Sequence, residues 1–307
     1  MRFDRSLTLR FFRPLQSIGL QTGGLHLPIL MYHSISDGPE HGLSPYYKVC
    51  TSPRRFAEHM QGLAETGWQG VTLREGLDIL AGGREIAARP VAITFDDGFH
   101  DFYTAAFPIL KQHGFSATMY LPTAFIGDDR RLFKSRPCLN WNEIKELQKA
   151  GIEFGSHTVN HPVLYDLSWQ EIERELALSK EQIEQELGET VASFAYPYAF
   201  PQEDASFTKA FAELLRGGGY CNCVTTVIGR AQPDDSPFSL KRLPANDGDD
   251  PALFQAKLAG AYDWLSGPQS WSKTARRCLR RPSRGGPDSR PSPPAFYPAK
   301  PPQNSPP

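Results

Sequence analysis

The sequence predicts a parallel α/β fold of about seven or eight strands, each followed by a helix, which is the count of a (β/α) barrel. Three observations support this. Short apolar runs alternate with longer amphipathic stretches from residue 27 to residue 266, the pattern of repeated βα units. Turn residues and helix caps punctuate the boundaries. The polar clusters with chemical potential all fall where an apolar run ends, and a barrel gathers its active site at the carboxyl ends of its strands. A doubly wound open sheet shares the local pattern and is the structural alternative.

Taken in order, residues 1–26 show no strong period and read as an N-terminal arm. The arm would be disordered or loosely docked, or a basic amphipathic segment touching a membrane through Leu7, Leu9, Phe11 and Phe12. Leu27 to Tyr32 is the first buried strand, with His33 and Ser34 at its end. Residues 36–51 are a Gly- and Pro-rich loop. Ser52-Pro53 supplies an N-cap and a first-turn proline, and Phe56, Met60 and Leu63 follow at helical spacing, so 53–65 is a helix. Val71 lies in a short link or strand. Thr72 to Glu75 is a capping box for a helix that ends at Gly82-Gly83. The next strand, 90–95, runs into Asp96-Asp97-Gly98.

A helix is expected over 101–113, a strand over Ala117–Leu121, and a loop over 124–139 whose Asp128-Asp129 is solvated. Helix Trp141–Ala150 precedes a strand at Ile152–Phe154 that leads into Ser156-His157. Ser168 to Glu171 caps a long helix reaching Leu187. Then come strand Val191–Tyr198, helix 204–216, strand Tyr220–Val227, a further strand at Leu240–Pro244 and a last helix over Pro251–Leu265. From residue 267 to 307 the composition changes, with ten prolines in 282–307, and such a tail cannot bury enough apolar surface to offset its ordering entropy.

Charge and cysteine usage exclude several classes. The formal net charge is −1, made of +7 on residues 268–307 and −8 on the remainder. A net-acidic body argues against nucleic acid as the substrate. Five cysteines in 307 residues are too few and too scattered for a disulfide framework, and Cys221-Asn222-Cys223 reads as packing rather than a metal pair. No run approaches the roughly 20 apolar residues of a transmembrane helix. The N-terminus lacks the apolar core of a secretory signal, which favours the cytoplasm, with association with the cell envelope left open.

Three clusters could carry chemistry. Asp96 and Asp97 stand at the mouth of a strand, where adjacent carboxylates are costly unless their charge is used; the structural alternative is a turn or a helix cap. His157 and His161 are four residues apart and can chelate one ion. With Asp97 they form a two-nitrogen, one-carboxylate set that leaves positions open, and Asp96 remains as a general base. Phe194 to Tyr198 runs into a Pro-fixed turn that can aim a backbone N–H at a developing oxyanion, or is simply an aromatic core strand.

At this point the sequence resembles the polysaccharide deacetylases, the NodB-homology group known as carbohydrate esterase family 4. Thr94-Phe95-Asp96-Asp97-Gly98 is similar to the first motif, Ser156-His157-Thr158-Val159-Asn160-His161 to the second, and Ala195-Tyr196-Pro197-Tyr198 to a variant of the third. The resemblance implies a distorted (β/α) barrel and metal-dependent removal of N-acetyl groups from an N-acetylhexosamine glycan. A divalent ion, with zinc the expected one, would be held by Asp97, His157 and His161. Asp96 would be the base and Tyr198 the backbone oxyanion donor. Two departures stand out. The third motif usually begins with an Arg that tethers the base, and here the position is Ala195; Arg242 is the candidate replacement. The usual C-terminal Leu-x-His, which bears the general acid, is missing, since no His follows His161. The Met31-Tyr32-His33-Ser34 stretch resembles the rearranged branch that makes deacetylated poly-N-acetylglucosamine, which makes His33 the expected general acid. Two other functions stay open: an amidase for a small non-sugar amide, and a non-catalytic glycan-binding domain.

Overall fold

A ring of parallel strands closes in the computed structural model, which describes residues 3–14, 25–38, 48–83, 87–267 and 269. The strands are β1 (Ile29–Tyr32), β2 (Ser34–Ile35), β3 (Cys50–Thr51), β4 (Trp68–Val71), β5 (Arg89–Phe95), β6 (Thr118–Leu121), β7 (Leu132–Phe133), β8 (Arg136–Pro137), β9 (Glu153–Ser156), β10 (Ser193–Ala195), β11 (Asn222–Ile228) and β12 (Leu240–Pro244). The helices are α1 (Phe3–Leu7), α2 (Pro53–Glu65), α3 (Leu73–Leu80), α4 (Phe107–Gln112), α5 (Trp141–Lys149), α6 (Trp169–Leu187), α7 (Ala205–Gly217) and α8 (Pro251–Leu258). The order around the main sheet is β1-β12-β11-β10-β9-β6-β5, and β5 pairs back onto β1 to close seven strands. Register at the closure places Ile29 beside Ala92 and Tyr32 beside Phe95. The eighth strand, β4, pairs only with the N-terminal half of β5, Trp68 with Arg89 through Val71 with Ala92, which distorts the ring.

The predicted barrel is therefore the observed one, and the open-sheet alternative is excluded by the β1–β5 and β1–β12 ladders. Period-two alternation decides what enters the ring. On β5, Val91, Ile93 and Phe95 pack outward into the main apolar cluster under the helices. Ala92 packs with Ile29, Tyr120, Ala195 and Val224 in a second cluster. The same face carries Thr94 and then Asp96. On β12 that face carries Leu240 and Arg242.

Helix boundaries follow the capping chemistry closely. Ser52 caps α2 with Pro53 at its start, and full capping boxes open α3 (Thr72, Glu75), α5 (Asn140, Glu143) and α6 (Ser168, Glu171).

Four segments differ from expectation. The helix predicted over 101–113 begins as a π turn, Phe102–Ala106, because Pro108 has no N–H for an ordinary turn and its ring crowds the preceding carbonyls. The loop over 124–139 contains the β7–β8 hairpin. Strand Val191–Tyr198 shortens to β10, since Pro197 cannot donate to a ladder and Tyr198 has left-handed backbone. The last helix stops at Leu258, with a separate 3₁₀ turn at Asp263–Leu265.

Of the predicted N-terminal arm, residues 3–14 are helical and docked. Thr8 is fully buried. The Tyr262 hydroxyl donates to Asp4 at 2.7 Å, the Trp264 indole donates to Thr8 at 3.1 Å, and Phe12 stacks on Trp264 at 5.0 Å. The predicted disordered tail lies outside the described residues, apart from Gly267 and Gln269.

Candidate active site

Four strand ends meet at one mouth of the ring. Asp96 follows β5 and is 2% exposed. Arg242, fully buried, reaches it across the barrel from β12: its two terminal nitrogens donate to the two Asp96 carboxylate oxygens, each at 2.7 Å. The guanidinium is itself fixed, its Nε donating to the Thr225 carbonyl at 2.9 Å and one terminal nitrogen to Thr94 at 3.2 Å. Burial alone would push the Asp96 carboxyl up. The Arg242 charge and hydrogen bonds, with His157 and His33, outweigh it and hold the group below the usual carboxylate range. Asp96 is thus ionised, oriented and still has lone pairs to accept a proton. Ala195, also buried, leaves the ring interior open for Arg242.

Asp97, His157 and His161 are all buried, and their donor atoms lie within 4.8 Å of one another. Asp97 Oδ1 is 3.2 Å from His161 Nε2 and 3.7 Å from His157 Nε2. Donors sharing one ion at about 2.0–2.2 Å lie roughly 3–3.5 Å apart in a tetrahedral site. The Asp97–His161 spacing meets this and the Asp97–His157 spacing is slightly wider, so the set can close on a metal. His157 Nδ1 pairs with the Ala195 carbonyl at 2.7 Å, which leaves Nε2 with its lone pair toward Asp97. Burial lowers the His157 pKa to about 4, with the neighbouring His161 adding to that effect, so the ring is neutral and fit to ligate. For Asp97, burial raises the pKa, but the His161 hydrogen bond and the charges of His33, Lys134 and His157 bring it far below the carboxylate range.

His33 stands at the end of β1, its Nε2 3.9 Å from Asp96 Oδ2 and its side chain 20% exposed. Burial lowers its pKa, although Asp96 and Asp97 pull the other way. Tyr198 has φ 57° and its backbone N–H makes no hydrogen bond among the described residues. Its ring, 47% exposed, packs edge-on against His161 at 4.5 Å. All seven residues singled out from the sequence are therefore in one place.

Backbone strain marks the same place. Six non-glycine residues among those described have left-handed backbone, Asp97, Lys134, Ser135, Thr158, His161 and Tyr198, and all six belong to the loops around this mouth. Each costs roughly 1–2 kcal/mol, and such costs gather at functional sites. Gly98 (φ 63°) is required by its turn, since a Cβ there would meet Ile126 and Leu121 at 3.2 Å.

Two contributors escape the sequence reading. Glu175 on α6 accepts hydrogen bonds from the Val159 and Asn160 backbone N–H groups at 2.8 and 2.9 Å and from the Asn160 side chain at 2.6 Å, pinning the turn between the two histidines. Among the many glutamates of that helix nothing sets it apart. Lys134, at the tip of the β7–β8 hairpin, places its ammonium 3.3 Å from Asp97 Oδ2. Its only sequence signal is its place in a polar loop.

Comparison with known proteins converges on one family. A family profile described as polysaccharide deacetylase matches residues 83–214. The chain is 32% identical over 232 residues to the putative polysaccharide deacetylase YxkH of Bacillus subtilis, covering 76% of each. It is 28% identical over 162 residues to the poly-beta-1,6-N-acetyl-D-glucosamine N-deacetylase of Staphylococcus aureus, covering 50% of this chain and 55% of that one, so the match spans about half the length of that relative. The solved structure of the Streptococcus pyogenes deacetylase PplD in complex with acetate superposes with a TM-score of 0.63 at 27% identity, covering 76% of this chain and 98% of the other. The matched profile contains Asp96, Asp97, His157, His161 and Tyr198, while His33, just after β1, and Arg242, on β12, lie outside it at either end of the domain. With the barrel, the converging motifs and this degree of identity, the chain belongs to the polysaccharide deacetylase family.

Proposed function

We propose that this protein is a metal-dependent N-deacetylase that removes acetyl groups from an N-acetylhexosamine glycan, with poly-N-acetylglucosamine the first polymer to test. One observation carries the reading: an Asp-His-His donor set opens beside a carboxylate that a buried arginine holds ionised. The two-nitrogen, one-carboxylate set with open positions is one that catalytic zinc takes. Residue Asp97 with His157 and His161 would hold the ion, which when bound polarises the acetamide carbonyl and activates water.

The remaining steps belong to the chain itself. Asp96, kept in place by Arg242, accepts the proton of the attacking water. The Tyr198 N–H donates to the acetamide oxygen as it becomes negative, a contribution typically worth ~3–4 kcal/mol. His33, within reach of the same carboxylate, delivers a proton from Nε2 to the departing amine nitrogen. Acetate and a free amino sugar are the products. The substrate assignment draws on the Staphylococcus aureus relative's named activity and on the position of His33 after β1.

The test is acetate release from N-acetylglucosamine oligomers by protein loaded with zinc and by the same protein after chelation. Release that stops with chelation and returns with zinc is expected. Zinc bound at one equivalent with no acetate released from sugar or simple acetamides would overturn the reading.

A further inference from the structure

Lys134 is the one cation at the mouth of the site, among the described residues, that the reaction above does not use. It is carried on the Leu132–Pro137 hairpin, whose two tip residues, Lys134 (φ 50°) and Ser135 (φ 62°), both have left-handed backbone. Two-residue hairpins of this shape favour Asn-Gly or Gly-Gly, so Lys-Ser is a costly choice. The hairpin is firmly seated. Arg136 donates to Ser34 and Ser36 at 2.8 and 3.0 Å and to Cys50 at 2.8 Å, which ties the hairpin base to the segment just after His33. The Leu139 N–H donates to the Gly98 carbonyl at 2.8 Å, which ties its far end to the aspartate turn. Phe133 packs against the His161 ring at 5.0 Å.

The ammonium itself lies 3.3 Å from Asp97 Oδ2, 4.5 Å from the Phe133 ring centre and 5.5 Å from the Tyr198 ring centre. It is close enough to His33 to act on its charge. Asp97 turns its other oxygen, Oδ1, to the histidines. The Lys134 contact therefore does not compete for the atom that faces the donor set. An ammonium has three donors, and Asp97 takes one. The side chain is 45% exposed, so the remaining donors are open to solvent and to a ligand. A freely waving lysine keeps rotamer entropy that a held one gives up. Here that freedom is restricted above a site where negative charge would develop.

We propose that Lys134 is a further catalytic residue: its ammonium donates a hydrogen bond to the substrate's acetamide oxygen as that oxygen gains negative charge, beside the Tyr198 N–H. This rests on the deacetylase reading above. Lys134 stays protonated throughout, and after cleavage the same ammonium faces the carboxylate of the acetate product. The bland alternative is a counter-ion for Asp97 with no part in turnover.

The experiment compares wild type with Lys134→Met and Lys134→Arg, each loaded with zinc and checked for zinc content by direct metal analysis. On N-acetylglucosamine oligomers, Lys134→Met should lose about 10²-fold in kcat with KM nearly unchanged, the size expected for one oxyanion donor. Lys134→Arg should recover much of that loss. Acetate binding, measured by calorimetry on the same zinc-loaded proteins, should weaken about tenfold in Lys134→Met. Unchanged kcat together with tighter zinc binding in Lys134→Met would show a mere counter-ion and overturn the proposal. If wild type releases no acetate from any acetamide, the deacetylase reading falls by itself. Acetate affinity still decides the role of Lys134 in that case, since equal affinity in wild type and Lys134→Met overturns it.

Discussion

The residue with most leverage is Arg242. A guanidinium with no solvent exposure is tolerated only because every face of it is used: Asp96 twice, Thr94 and the Thr225 carbonyl. Removing one partner of such a pair leaves an uncompensated buried charge, at a cost of about 3–5 kcal/mol. Arg242→Ala should therefore lower stability by that amount in urea unfolding, and acetate release should fall with it because Asp96 is then driven to protonate. Arg242→Lys keeps the charge but not the two-pronged hold, so it should regain stability more than activity. Elsewhere, His59 offers a clean pH test. It is buried between the Tyr32 hydroxyl and the Asp249 carbonyl, and burial lowers its pKa to about 4. Unfolded, it binds a proton near pH 6.5, so the unfolded state takes up more protons between pH 6.5 and 4. Stability from this group is full above 6.5 and is lost as pH falls through that window, by roughly 3 kcal/mol. Metal-free wild type should lose correspondingly more stability between pH 7.5 and 4.5 than His59→Gln.

At the scale of elements, local chemistry determined most of what could be read in advance. Ser52-Pro53, Thr72 to Glu75 and Ser168 to Glu171 open helices where the sequence places them, because caps act within one turn. The Asp and His motifs were legible for a similar reason, since each is contiguous. What escaped depends on contacts distant in sequence. The β7–β8 hairpin has Lys-Ser at its tip in place of a turn signal, and it is held by Arg136 reaching back to Ser34 and Ser36. Glu175 acts on a turn about 15 residues earlier, through a geometry that only the folded helix creates. Glu175→Ala should release the His157–His161 turn and weaken zinc affinity by about 10–100-fold in a chelator competition, with secondary structure unchanged by circular dichroism. The lengths of β10 and the last helix were overestimated because apolar composition continues past the point where Pro197 and the Ala259-Gly260 turn end the hydrogen bonding.

At the scale of the whole molecule, the N-terminal helix is part of the folded body. Deleting residues 1–14 exposes the Tyr262 and Trp264 surfaces and frees Asp250 from Arg5. The deletion should lower Tm by several degrees in a thermal scan, at roughly 2–4 °C per kcal/mol for a chain of this size. The closure of the ring has a further consequence. Because β1 pairs with both β12 and β5, the two ends of the domain's chain are spatial neighbours, and a ring has no intrinsic starting point. A side chain delivered from the last strand, β12, or from the end of the first, β1, arrives at the same mouth. The gene's linear order is thus free to be cut and rejoined around the circle without moving the chemistry. The converse is equally strict: a fragment spanning only 83–214 carries the aspartates and both histidines, yet it lacks His33 and Arg242 and leaves the circle open.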